Sequence, residues 1–252
     1  GASIAWGERV GKMWGEFLEG HDTLTGHALR GHHAFLFRGT NQMPANDVIA
    51  LNSNYSHWQQ TRGAGLTGVN PFDYYCVENF LKSFPVSDKE LKTGYVDKSG
   101  DGGVDAFYCF ANRKYIYDDS ELDPDSEYKI NIVIFQCKEG NGFSPLGLQK
   151  LIFFAEDLLD LGRTEENYKE LYHQNLKTLM QTFKEQYSSI AGSVTAIECD
   201  FYYVSRLDVG DPEPDSDVAN YGAQLQTKVK THFPKAKCNV HFVGATKLFS
   251  QA

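Results

Sequence analysis

The stretch Tyr128-Lys129-Ile130-Asn131-Ile132-Val133-Ile134-Phe135-Gln136-Cys137-Lys138 decides the fold class. Its centre, Ile130 to Phe135, is apolar apart from Asn131. A half-buried strand alternates apolar and polar residues. A run this continuous suits a central strand covered on both faces. Covering it takes helices, and helix signals stand on either side. Upstream, Asn70-Pro71 opens a helix in the cap-then-proline order, with Phe72, Tyr75, Cys76, Asn79 and Phe80 at the helical period and Pro85 closing it. Downstream, Ser144-Pro145 repeats that order; Leu148, Leu151, Ile152, Ala155 and Leu159 form the stripe and Gly162 the stop.

Working outward, the spacing predicts strands over Lys92–Val96, Val104–Phe110, Tyr128–Lys138, Thr195–Val204 and Cys238–Val243. A long helix is expected from Glu165 to about Tyr187. Another, capped by Ser216 or Asp217, would turn Val218, Tyr221, Leu225 and Val229 inward. Asp97–Gly103 reads as a turn and Asp118–Glu127 as a polar connection, and Ala245–Ala252 is apolar enough to start a further element. The fold class is therefore α/β, a central mixed sheet flanked by helices. Residues 4–20 read as an amphipathic helix and residues 21–69 as mixed helix and loop. This divides the chain into an extension, 1–69, and a domain, 70–252.

With 252 residues, 41% hydrophobic and 23% charged, the chain can bury a sizeable core without a disulfide or metal staple. Its longest apolar runs, Ala106–Ala111 and Leu151–Ala155, fall far short of the roughly 20 residues of a membrane span. A net charge of −9 argues against a surface that grips nucleic acid all over, but leaves room for a local groove. Cys76, Cys109, Cys137, Cys199 and Cys238 are odd in number, widely spaced and free of any CxxC pair. They read as buried reduced thiols of a cytoplasmic protein.

Several motifs carry little. His21, His27, His32 and His33 fit no zinc spacing. Asp211, Glu213, Asp215 and Asp217 lack the glycine and terminal glutamate of a calcium loop. Gly140-Asn141-Gly142 precedes no Gly-Lys-Ser/Thr and reads as a turn.

The residues that point to chemistry lie at strand ends. Asp105 heads an otherwise apolar strand, where a carboxylate is costly unless it is paired, caps a turn or binds a metal. Gln136 and Lys138 share one face of the next strand, about 7 Å apart. Gln136 offers a carbonyl oxygen to a cation, the Cys137 main-chain carbonyl lies between them, and Lys138 can steady developing negative charge. A second Gln-x-Lys, Gln226-Thr227-Lys228, falls on a predicted helix, where positions two apart do not share a face. Glu78 lies on the helix upstream, with Asp73 as its rival on the same helix.

The order of a carboxylate on a helix, Asp105 on a strand and Gln136-Cys137-Lys138 closing the next strand resembles the PD-(D/E)xK nuclease superfamily, in the variant with Gln for the last acidic residue. The stretches Asp101-Gly102-Gly103-Val104-Asp105-Ala106-Phe107 and Ile132-Val133-Ile134-Phe135-Gln136-Cys137-Lys138 resemble the N-terminal region of the abortive-infection phage-resistance family (AIPR). The ending Val240-His241-Phe242-Val243-Gly244-Ala245-Thr246-Lys247-Leu248 is similar to a segment that in that family continues into more protein. The resemblance covers residues 70–160 well and 195–248 loosely. It implies a restriction-endonuclease-like core and a metal-dependent endonuclease of bacterial anti-phage defence. It also implies an Mg²⁺ or Mn²⁺ site from Asp105, Gln136, the Cys137 carbonyl and Glu78, with Lys138 beside the attacking water. Its partner would be nucleic acid, DNA before RNA; a homodimer is compatible with it. Gln136 brings no negative charge, so a nuclease-like fold that binds nucleic acid or assembles without efficient catalysis stands as the alternative.

Overall fold

In a computed structural model describing residues 46–96, 102–168 and 170–252, the run Tyr128–Lys138 is the central strand of a five-stranded sheet. The strands are β1 (Ala106–Ala111), β2 (Lys114–Tyr115), β3 (Tyr128–Lys138), β4 (Val194–Ser205) and β5 (Lys237–Val243), in the order β2-β1-β3-β4-β5. β3 runs antiparallel to β1 and parallel to β4, and β5 runs parallel to β4. The sheet is mixed and carries helices on both faces, as expected for this α/β class.

The alternation along β3 explains its unbroken apolar run. Ile130, Ile132 and Ile134 enter one core with Leu148, Leu151 and Phe154 of α4 (Pro145–Leu159), Leu176 and Met180 of α6 (Gln174–Ile190), and Leu225 and Val229 of α7 (Asp217–His232). Val133, Phe135 and Cys137 enter a second core with Leu51 and Tyr55 of α1 (Asn46–Thr61), Phe72 and Cys76 of α2 (Pro71–Phe80), and Leu248 of α8 (Ala245–Gln251). Each fully buried Ile, Val or Phe contributes about 1.5–3 kcal/mol, so both faces hold the strand in place.

The helix starts follow their caps. Asn70 Oδ1 accepts from Phe72 N at 2.9 Å, and Ser144 Oγ accepts from Gly147 N at 3.2 Å. Of the two residues proposed to cap α7, Ser216 does so, its Oγ accepting from Ala219 N at 3.2 Å. Such caps are worth about 1 kcal/mol each.

Two elements differ from expectation. Lys92–Val96 is no strand: α3 (Asp88–Gly94) occupies most of it, and only a single bridge, Tyr95 to Ala106, remains. Its capping box, Ser87 with Glu90, outweighs the strand pattern. The long helix after Glu165 is instead a short α5 (Glu165–Tyr168) and a separate α6, whose N-cap is His173 Nδ1, accepting from Asn175 N at 3.3 Å. Helix α1 packs against α2 and α8 and belongs to the same compact unit, Ala45–Ala252, as the sheet. The helix expected at 4–20, the histidine group and most of the 97–103 turn lie outside the described residues. Among the described residues no helix is long and apolar enough to cross a membrane.

The end of α3 meets the sheet with no room to spare. Tyr108 donates its hydroxyl to Leu91 O at 2.6 Å, and a methyl added at Gly94 would stand 2.2 Å from the Tyr108 ring. Gly94→Ala should therefore destabilise the fold by about 1–3 kcal/mol. Urea unfolding monitored by circular dichroism measures it, and an unchanged midpoint would show that Tyr108 can move aside.

Candidate metal centre

The site forms where β1 begins and β3 ends. Ala106 pairs with Phe135, so one step further in the same register sets Asp105 opposite Gln136. Asp105 N donates to Phe135 O at 2.8 Å, and Asp105 Oδ2 accepts from Cys137 N at 2.5 Å. The carboxylate thus continues the hydrogen-bond ladder past the start of β1. In a strand, the N–H and C=O of one residue point the same way. The Cys137 carbonyl therefore also faces the Asp105 side.

Helix α2 supplies the second carboxylate. Asp73 lies in its first turn, where the helix N-terminus favours negative charge. Both Asp73 and Asp105 are only 4% exposed. A carboxylate oxygen of each and the Cys137 sulfur lie within 4.8 Å of one another. Cys76, three residues beyond Asp73 and so on the same helix face, shares the second core with Cys137. Burial pushes the Cys137 thiol far up; its contact with Cys76 and the charges of Asp73 and Asp105 push the same way. Burial likewise raises Cys76.

Glu78 is engaged elsewhere. Trp58 Nε1 donates to its Oε2 at 2.6 Å, and Arg62 Nε donates to its Oε1 at 2.9 Å. Five residues separate it from Asp73, which is about 140° round the helix. The helix carboxylate that meets Asp105 is the rival, Asp73.

Gln136 alternates with Cys137 and turns to the other core. Its side chain is 1% exposed, and two glycines make room for it. A methyl at Gly103 would stand 3.0 Å from Gln136 Nε2; one at Gly147 would stand 2.7 Å from Gln136 Oε1 and 2.4 Å from the Tyr203 hydroxyl. Gln136 Oε1 has no hydrogen-bond partner. Lys138 is half-buried and shares the Gln136 face by alternation; its main-chain oxygen accepts from Arg206 N at 3.0 Å. Arg206 in turn pairs with Glu139 at 2.5 Å, bonds Asn52 Oδ1 at 3.0 and 3.1 Å, and lies 4.8 Å over the Tyr55 ring. Helix α1 is thereby tied across the carboxyl ends of β3 and β4, the edge where open α/β sheets commonly bind ligands.

The structure therefore joins Asp105, Asp73 and Cys137 at one point, with Gln136 and Lys138 next to it along β3 but on the opposite sheet face from the two thiols. The other Gln-x-Lys serves α7: Lys228 ion-pairs with Glu156 on α4, and Gln226 Nε2 donates to Cys238 O at 3.3 Å. In the acidic loop, Asp211 pairs with Lys247 at 2.5 Å. One donor lies beyond the sequence reading, the Cys137 thiol, and Cys76 stands in the same core as its neighbour. The Asp73-x-x-Cys76 spacing was the available signal.

No known protein family, curated protein or solved structure matches the chain.

Two buried carboxylates and a thiol brought this close could hold a metal ion. Asp73→Asn and Asp105→Asn should each weaken Mn²⁺ binding about tenfold or more, while Glu78→Gln should change it by less than about twofold. Calorimetric titration reads this. An effect of Glu78→Gln as large as that of Asp73→Asn would return the helix ligand to Glu78.

Proposed function

We propose that this chain is a divalent-metal-dependent nuclease that hydrolyses phosphodiester bonds, DNA before RNA. The observation that carries the reading is the convergence of a helix carboxylate, Asp73, and a strand-head carboxylate, Asp105, on Cys137: an oxygen of each lies within 4.8 Å of its sulfur, and Asp105 accepts from its N–H, with Gln136 and Lys138 next along the strand. Asp73, Asp105 and the Cys137 carbonyl would hold Mg²⁺ or Mn²⁺. The unpartnered Gln136 oxygen lies one residue before Cys137 but faces the other core, so its part in the site is the point to be tested. The ion, when bound, neutralises phosphate charge and lowers the pKa of a water. Lys138 carries a positive charge to the same strand end, where it can hold that water or steady the developing negative charge on phosphate. The chain's acidity confines nucleic-acid contact to a local surface, and the carboxyl ends of β3 and β4 are that surface. The mixed sheet supports the resemblance to restriction-endonuclease-like cores. Five buried free thiols support a reducing, cytoplasmic setting such as anti-phage defence.

A second reading, a nuclease-like fold that binds nucleic acid or assembles without efficient catalysis, is favoured by one observation. Gln136 brings no charge, and it lies on the opposite face from Cys76 and Cys137.

Supercoiled plasmid, single-stranded DNA and RNA, each with and without Mn²⁺, separate the two. The first reading expects metal-dependent cleavage that chelator abolishes. Lys138→Ala and Asp105→Ala should each lower it by about 10²-fold or more with folding intact. Lys228→Ala should leave the rate near wild type, and loss at Lys228 equal to that at Lys138 would mean the motif is misplaced. Gln136→Glu should retain cleavage and lower the Mg²⁺ requirement, whereas Gln136→Ala should raise it; matched losses would remove Gln136 from the ligand set.

A further inference from the structure

The described chain places its five cysteines unevenly. Cys109, Cys199 and Cys238 lie in the core under α4, α6 and α7. Cys76 and Cys137 lie in the other core, and the Cys137 sulfur joins the carboxylates of Asp73 and Asp105. The Cys137 sulfur is within 4.8 Å of oxygens of both Asp73 and Asp105, with all three residues buried. That is a donor set of two oxygens and one sulfur, with the Cys76 thiol in the same core.

We infer that Asp73, Asp105 and the Cys137 sulfur form a mixed carboxylate–thiolate site for a thiophilic transition metal of the Zn²⁺ and Co²⁺ class, and that this ion competes with Mg²⁺ or Mn²⁺ for the two aspartates. The chemistry follows from ligand type. Mg²⁺ takes oxygen ligands in near-octahedral geometry and gains nothing from sulfur. Zn²⁺ and Co²⁺ accept sulfur, nitrogen and oxygen, and they stand above Mn²⁺ in the usual affinity order. Three protein donors leave a fourth tetrahedral position for water or for a phosphate oxygen. Cys76 acts on the sulfur of Cys137 rather than as a fourth ligand, because it is not among the mutually close atoms. Such neighbours orient a ligand and tune its metal.

The site shares its aspartates with the proposed hydrolysis, and in that respect rests on the same geometry, but its test needs no cleavage. Full-length chain, stripped with chelator and kept reduced, is titrated with Co²⁺ and followed by absorption. The expected result is a thiolate-to-cobalt charge-transfer band in the near ultraviolet, bleached by Zn²⁺, with the Co²⁺ concentration at half-saturation raised by a large excess of Mn²⁺. Cys137→Ser should abolish the band. This variant keeps the main-chain N–H that Asp105 accepts, and circular dichroism confirms its fold. Asp73→Asn should keep the sulfur but raise the Co²⁺ concentration at half-saturation about tenfold. Cys76→Ala should retain the band. Zn²⁺ should also raise the thermal midpoint of the wild type and not that of Cys137→Ser.

Absence of the band in the folded wild type at saturating Co²⁺, or its survival in Cys137→Ser, overturns the inference. Mn²⁺-dependent cleavage without the band would remove the thiolate site and leave the hydrolytic reading standing. A band without cleavage in any metal would do the reverse.

Discussion

Everything in this structure depends on burying β3 on both faces. A strand with isoleucines on one side and valine and phenylalanine on the other cannot lie at a sheet edge or face water without exposing much of its apolar area. Two helical layers answer that demand. Helices α4, α6 and α7 cover Ile130, Ile132 and Ile134, and α1, α2 and α8 cover Val133, Phe135 and Cys137. The parallel β4 then follows from the intervening helices, since a parallel neighbour needs a crossover and an antiparallel one needs only a short turn.

The same constraint creates the site. After Phe135 the apolar run gives way to Gln136 and Lys138 on one face of β3. At that end β1 is beginning while β3 and β4 are finishing, because β1 runs antiparallel and β4 parallel. A missing ladder partner at the start of β1 exposes the Cys137 N–H, and the Asp105 carboxylate takes it. Helix α2 must pack on this face to cover Phe135 and Cys137, and its first turn delivers Asp73. Two carboxylates and a thiol are thus consequences of covering one strand.

Burial also separates the polar residues by face. Asp73, Cys76 and Cys137 share one core, and Gln136 belongs to the other, held against Gly103 and Gly147. Asp105, lying along the sheet edge between β1 and β3, is the residue through which the two sides meet. An oxygen-preferring ion and a sulfur-preferring ion would therefore draw on overlapping but different neighbours of the same aspartate.

Local patterns were enough for much of the fold. The apolar run of β3, the Asn70-Pro71 and Ser144-Pro145 starts and the stripes of α4 and α7 are signals carried by neighbours in the chain, so they could be read without tertiary structure. Ser87-x-x-Glu90 was equally local and outweighed the strand pattern at Lys92–Val96. The break after Tyr168 was harder to see, because its apolar spacing runs on and only the His173 cap interrupts it. In the site, Asp105, Gln136 and Lys138 were legible as polar residues at strand ends. The choice between Asp73 and Glu78 was not. Both lie on one helix, and which of them meets Asp105 depends on how that helix is rotated against Phe135 and on the capture of Glu78 by Trp58 and Arg62 from α1 and the turn after it. The Cys76–Cys137 contact was hidden for the same reason: sixty-one residues of chain separate them. What the sequence determined by itself was therefore period, capping and which residues are polar where polarity is costly; what only the tertiary structure decided was which of those residues share a point in space, because that depends on the packing of helices against both faces of one strand.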